Sequence, residues 1–353
     1  MIAKLLPNRV RRTCLGGGRI DAFTGGSRCR ATKTDAQQRV PPMPMPEDWM
    51  ASTTTAFNGT LEIEGEGLGR LEDGRLVKDV VGTLPILVKL LDSDERLVIQ
   101  AHPTVPCAKR LFNSPVGKTE CWYFLPGTAP DACVYLGFKP GVTREKWEEA
   151  FWGGSRCRAT ETDAQERVPP ELLTFLHRIP VAAGDFVFVD GGMPHAIGGG
   201  CFMIELQEPS DLMVVAERVT PSGRRIPDAK MHGGVGWEKM FEVYEYEGLT
   251  YEEVCARYVK RATAAGTAAP HADAQERVPP VKQILGPELT DKFEMWRVAG
   301  GGRLALPRDR SVAVVTEGAG SVNGLAVKRG DRLVVSNERV LEAAGDVTLV
   351  VCA

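Results

Sequence analysis

Short apolar stretches alternate with polar turns over most of the chain, the pattern of many strands and few helices. Leu84 to Leu91 (LPILVKLL) is a continuous apolar run, followed by Asp-Ser-Asp turn chemistry and then Arg96 to His102 (RLVIQAH). This predicts two strands joined by a short connection. Ala132 to Phe138, Phe186 to Val189, Phe202 to Gln207 and Leu212 to Ala216 read as further strands. From Phe293 onward the chain is short strands and Gly-rich turns. Helical spacing is expected over Thr143 to Trp152, with an N-cap threonine, over Glu171 to Arg178, and from a Thr250–Glu253 capping box to about Arg261.

Two segments share one layout. Val181-Ala-Ala-Gly184-Asp185-Phe-Val-Phe-Val and Val327-Lys-Arg-Gly330-Asp331-Arg-Leu-Val-Val each predict a strand, a Gly-Asp turn and a return strand. Such a pair implies a mainly β fold with helical insertions, built on two cupin-like (jelly-roll) β-barrels. His195 follows the first Gly-Asp and no histidine follows the second, so only the first barrel can hold a metal in this way. The expected division is a catalytic cupin domain with a helical portion over 1–265, a linker over 266–284, and a C-terminal cupin-like barrel without metal over 285–353.

A repeated peptide interrupts this pattern. Residues 25–42 read GGSRCRATKTDAQQRVPP and residues 153–170 read GGSRCRATETDAQERVPP, differing only at Lys33/Glu161 and Gln38/Glu166. A shorter copy, ADAQERVPP, occupies 272–280. One reading is a shared docking or nucleic-acid arm, given Arg28, Arg30 and Arg39. The other is insertion of one peptide at positions that tolerate extra chain. The copies are unevenly spaced, polar and closed by Pro-Pro, which favours insertion into loops.

Composition narrows the function classes. The 353 residues allow two domains with cores of their own. With 43 Lys and Arg against 46 Asp and Glu, the net charge of -3 gives no pull towards nucleic acid or an anionic membrane. The basic stretch Lys4 to Arg12 precedes no apolar run long enough for a signal peptide or a span, so a cytoplasmic protein is expected. Nine cysteines, an odd number with no CxxC pair, argue against a disulfide framework or a structural zinc finger.

The candidate chemistry lies in four residues. Gln100 and His102 are two apart on a predicted strand and so share a face. Glu120 precedes an aromatic-rich strand, and His195 lies in the loop Gly191-Gly-Met-Pro-His-Ala-Ile-Gly198. Two histidines, a carboxylate and an amide oxygen would make an open catalytic zinc site. On residues alone, the alternative is a pair of hydrogen-bonded core or loop histidines. His177 and His232 read as structural, His271 as solvated, and the glycine runs 16–18 and 198–200 as turns. Glu208 and Asp211 are either a proton relay or loop anchors.

In order along the chain, LVIQAHP, GKTECWYFL, GGMPHAIGGG and IELQEPSDLM resemble the signature segments of type I mannose-6-phosphate isomerases. So do Asn8-Arg-Val-Arg-Arg-Thr with Gly-Gly-Gly-Arg-Ile, and Pro46-Glu-Asp-Trp-Met-Ala-Ser52. The resemblance implies one zinc ion per chain on Gln100, His102, Glu120 and His195. It implies a cupin-type catalytic barrel with a helical portion and a second barrel. The implied reaction interconverts mannose 6-phosphate and fructose 6-phosphate through an enediol-type intermediate. The implied partner is a small hexose 6-phosphate, with neither nucleic acid nor membrane, for a monomer or weak homo-oligomer. Lys118, two residues before Glu120, is the expected catalytic and phosphate-binding cation. Lys89, on an apolar strand, is a second substrate-binding candidate that would need an anion beside it.

The sequence departs from the family pattern twice. Val215 stands where an arginine is expected four residues after Asp211, and Arg218 could take that role only through a bulge or altered register. Val98 stands where a phosphate-binding serine is usual. These departures support an alternative, a non-catalytic metal-holding cupin that binds sugar phosphate as a sensor or regulatory module.

Overall fold

The computed structural model describes residues 1–12, 14–25, 45–57, 63–153, 172–262 and 279–353. Apart from Gly25, Gly153 and the final Pro279-Pro280, the repeated peptides lie outside the described residues, as does His271.

The apolar run at 84–91 yields the strand Leu87–Asp92, buried at all six positions. Phe202–Gln207 beside it is likewise buried throughout. A strand without a polar face must be covered on both sides. Both lie in the middle of a seven-stranded sheet in the order Val259–Lys260, Phe186–Val189, Glu120–Phe124, Phe202–Gln207, Leu87–Asp92, Glu47–Met50, Arg9–Val10. On one face, Val88, Leu90, Ile204 and Leu206 share a core with Val312, Val314, Val334 and Val350 of an eight-stranded sheet. On the other, Leu91, Trp122, Val187, Val189 and Met203 pack with Val134, Leu136, Ile179 and Ile197 of a five-stranded sheet. That sheet runs Val214–Val215, Gln100–Ala101, His195–Ile197, Cys133–Phe138, Leu176–Pro180. Its far side is covered by Trp147, Phe151, Met231, Met240 and Phe241 from the helical portion.

Among the described residues the fold is therefore mostly β. Four helices, Val105–Phe112, Arg144–Phe151, Asp228–Met231 and Trp237–Met240, contribute to the core beside the smallest sheet, while Arg19–Thr24 and Val77–Val81 pack into the core between the two larger sheets. The chain's first strand, Ile2–Lys4, pairs antiparallel with Arg332–Ser336, and Val281–Leu285 pairs with Met295–Ala299. Both ends of the chain thus enter the eight-stranded sheet. The two Gly-Asp turns are the same device: Ala182 N–H donates to Asp185 Oδ2 at 3.1 Å and Lys328 N–H to Asp331 Oδ2 at 3.0 Å. Gly184 and Gly330 supply the left-handed corners at φ 87° and 89°. No helix among the described residues is long and apolar enough to cross a membrane.

Several expected elements differ, among them the strand expected over Leu212–Ala216, which shortens to Val214–Val215, and the one over Leu84–Leu91, which begins at Leu87. In place of a helix over 171–178 there is one 3-10 turn, Leu172–Phe175, and then the strand Leu176–Pro180. His177 and Ile179 are buried between exposed Arg178 and Pro180, so alternation across a sheet edge overrides helical spacing. The strand expected over Arg96–His102 shortens to Gln100–Ala101, because Ile99 N–H donates to the Glu217 carboxylate at 2.7 Å rather than to a ladder. The helix from Thr250 ends at Tyr258, where strand Val259–Lys260 begins. Its capping box is present, as is the Thr143 N-cap of Arg144–Phe151.

Candidate metal centre and cleft

Register brings the candidate residues together. His195 lies opposite Gln100, and Gln100 opposite Val215, in the five-stranded sheet. Glu120 opens its strand in the facing seven-stranded sheet, opposite Gln207. The side chains meet between the two sheets, where His102, Glu120 and His195 are almost completely buried. One ligand atom from each lies within 4.8 Å of the others. His102 Nε2 and His195 Nε2 are each 3.3 Å from a different oxygen of Glu120. Gln100 Nε2 is 3.3 Å from His195 Nε2. A half-turn of that amide presents its oxygen to the same point.

The loops that carry these groups interlock. Gly192 N–H donates to His102 O at 2.6 Å, Lys118 N–H to Pro103 O at 3.0 Å, and Ser210 Oγ to Gly117 O at 2.6 Å. Gly117 has no side chain for a packing reason: a Cβ there would sit 2.6 Å from Pro103 O. A Cβ on Gly191 would meet Thr104 Cα at 2.9 Å. Both glycines thus allow the His102 loop to pass between the Glu120 and His195 segments.

The donor set fits a divalent metal. His102 Nδ1 lies 2.8 Å from Leu212 O, and His195 Nδ1 lies 2.9 Å from Met193 O. With Nδ1–H donating to a carbonyl, each ring turns its Nε2 lone pair inward. Burial holds His102 neutral, with Lys118 adding to the effect, so its pKa falls to about 3; burial lowers His195 too. Burial would raise the Glu120 carboxyl, but the Lys118 ammonium beside it overrides this and holds the group well below the usual range. Neither oxygen of Glu120 accepts a well-formed hydrogen bond. Lys118 Nζ lies 2.9 Å from both Glu120 Oε2 and His102 Nε2, so an ammonium sits against two of the atoms a metal ion would take. Two neutral imidazoles, one carboxylate and one amide oxygen are ligands suited to zinc or a similar divalent ion.

Beside this cluster opens a cleft that Gln100 and Lys118 also line. Five cations line it, Arg12, Lys89, Arg96, Lys118 and Lys230, against three carboxylates, Glu47, Glu205 and Asp211. Lys89 and Glu205 lie directly opposite each other on adjacent strands, with Nζ 2.9 Å from Oε2, so the buried lysine has the anion it requires. Burial pushes the Glu205 carboxyl up to about 7, against the pull of Lys89, with Glu120 adding to the rise. Arg12 clamps Asp211 through two bonds of 3.0 and 2.8 Å and reaches Glu47 at 3.0 Å.

Arg218 is not brought to the cleft. Its guanidinium stacks 5.1–5.2 Å from the rings of Phe151, Trp152 and Trp237, and its nearest acid is Asp228 at 3.7 Å. No bulge redirects it, and Val215 occupies the wall instead. Glu208 and Asp211 are anchors: Glu208 accepts from Thr119 N–H and Lys292, Asp211 from Arg12 and Phe57 N–H. His177 bonds Leu249 O, and the ring of His232 accepts from Gly234 and Gly236 N–H. Sequence reasoning did not single out Arg12, Glu47, Glu205 or Lys230. A usable signal existed for one: a lysine inside an apolar strand demands a carboxylate, and Glu205 is the one acid within the run FMIELQ.

The chain has the fold of phosphomannose isomerases of known structure, with a buried His-Glu-His cluster beside a cationic cleft. The mannose 6-phosphate isomerase of Bacillus subtilis superposes with a TM-score of 0.67 at 18% identity, covering 100% of this chain and 99% of that one. A mannose 6-phosphate isomerase bound with zinc and yttrium superposes at 0.64 and 14% identity, covering 99% and 98%. In sequence, the chain is 26% identical over 254 residues to the probable mannose-6-phosphate isomerase GmuF of Bacillus subtilis (strain 168), 68% of this chain and 65% of the relative. The matched stretches span between about a third and two thirds of the curated relatives' lengths. No protein-family model matches the chain.

Proposed function

We propose that the chain is a zinc-dependent aldose–ketose isomerase that interconverts mannose 6-phosphate and fructose 6-phosphate. The observation that carries this reading is the buried His102–Glu120–His195 cluster, with Gln100 beside it, at one end of a cleft rich in cations. Gln100, His102, Glu120 and His195 would hold the metal. When bound, zinc supplies Lewis-acid polarisation of the sugar carbonyl and its neighbouring hydroxyl. The chain's own groups supply the rest. Lys118, at the border of cluster and cleft, places positive charge where a substrate oxygen becomes negative. Glu205 lines the cleft and titrates near neutrality, which suits a group that removes the proton from C2 of the aldose and returns it to C1 through an enediol-type intermediate. Lys89 holds Glu205 in position. The sheets exclude water from the cluster, which protects the intermediate from side reactions.

A coupled assay for fructose 6-phosphate, with and without chelator, tests this. Turnover of mannose 6-phosphate that chelator abolishes is expected, and equal rates in both arms would refute the metal's part.

A second reading has one observation behind it. Val215, 1% exposed on the cleft wall, offers no charge to the reacting sugar. A metal-holding, non-catalytic sugar-phosphate sensor would bind mannose 6-phosphate without converting it.

A further inference from the structure

The cleft's cations are not equivalent. Arg12 is committed to Asp211 and Glu47, Lys89 to Glu205, and Lys118 to Glu120. Arg96 is locked to Glu217 by two bonds of 2.7 Å each. Among the described residues, the Lys230 ammonium forms no hydrogen bond or ion pair, although Arg12, Asp211 and Glu47 are near enough to act on its charge. An ammonium drawn partly out of water without a partner costs stability, and such a group is retained where an anion comes to meet it.

Its placement bears on Val215. Lys230 lies on the short helix Asp228–Met231, which packs against the strand Val214–Val215. Met231 is completely buried, which fixes the rotation of the helix, and Ile226 N–H donates to Arg218 O at 2.8 Å, which fixes its approach. Val215 and Lys230 therefore line the same wall of the same cleft. An apolar side chain stands at one position and an unneutralised charge at the other.

We propose that Lys230 anchors the phosphate of the hexose 6-phosphate, supplying from the helix the cation that the strand lacks at Val215. This rests on the reading of the cleft as a sugar-phosphate site. Burial lowers the lysine's pKa, with Arg12 adding to the effect, and a bound dianion would reverse that shift. The role is one of binding: the ammonium holds the non-reacting end of the substrate, so its loss falls on affinity.

The test uses the full metal-loaded chain and the variants Lys230→Leu, Lys230→Arg and Lys230→Leu/Val215→Arg. Calorimetric Kd for mannose 6-phosphate and for inorganic phosphate is measured beside kcat and KM. Lys230→Leu should weaken both Kd values and raise KM by roughly tenfold to a hundredfold, the scale of a lost charge-assisted hydrogen bond, with kcat little changed. Lys230→Arg should stay near wild type, and Val215→Arg should recover part of the loss. A merely structural lysine would lower the melting temperature without separating KM from kcat. An unchanged Kd for mannose 6-phosphate in Lys230→Leu overturns the proposal, as does a wild type that does not bind it. A wild type that binds without turnover defeats the isomerase reading alone, and the Kd comparison still decides Lys230.

Discussion

Glu205 carries a prediction at the scale of one side chain. Its pKa stands near 7 because burial outweighs the attraction of Lys89 at 2.9 Å and Lys118 at 4.0 Å, while Glu120 and Glu47 push the same way as burial. As a base it acts when deprotonated, so kcat/KM should rise with pH through about 7. Glu205→Gln should lower kcat by about 10²–10⁴-fold and flatten that limb of the profile. A Gln variant with wild-type kcat would remove Glu205 from the chemistry. Asp211 titrates the other way. Burial opposes its ionisation, but Arg12 overcomes this and holds the carboxyl down to about 2. A depressed native pKa stabilises the fold above the ordinary carboxylate range and loses that contribution as pH falls through the native value. Denaturant melts between about pH 4 and pH 2 should therefore show stability falling more steeply in the wild type than in Asp211→Asn. Equal slopes would show that the Arg12 clamp adds nothing in acid.

At the scale of elements, the centre depends on loops that pass too closely for side chains. Gly117→Ala forces a Cβ to within 2.6 Å of Pro103 O, so the Glu120 strand or the His102 loop must shift. It should cost about 1–3 kcal/mol of stability, the scale of overpacking, and also weaken metal binding measured by competition with a chelator. Loss of stability with unchanged metal affinity would mean that the two loops move together. The same elements separate what was legible in the sequence from what was not. Gln100 and His102 were legible as near neighbours in space, because spacing of two on an extended chain is local geometry, and both lie beside His195. The strands at 87–92, 133–138, 186–189 and 202–207 were legible for the same reason. The strand at Leu176–Pro180 was not, since its alternation is set by a sheet edge and by Leu249 O accepting from His177, both remote in sequence. Lys230 was equally invisible: nothing local in Asp-Ala-Lys-Met indicates that the helix packs on Val215.

For the whole molecule, the seven-stranded sheet is the organising layer. One face joins the core of the eight-stranded sheet, and the other presents Glu120, Lys89 and Glu205 towards the sheet that carries Gln100 and His195. The expected mainly β architecture was legible from the short apolar runs, and the two Gly-Asp turns make the same backbone-to-carboxylate bond. The N-terminal strand's place beside Arg332–Ser336 was not, because it pairs across more than three hundred residues, a separation that no periodicity records. Since the proposed metal ligands come from two sheets, the ion would tie them together, and metal loading should raise the melting temperature as well as permit turnover. The most direct test is a titration of metal-stripped protein with zinc, following fructose 6-phosphate formed from mannose 6-phosphate. Turnover should rise linearly and saturate at one equivalent per chain. Uptake of one zinc per chain with no turnover would contradict the isomerase.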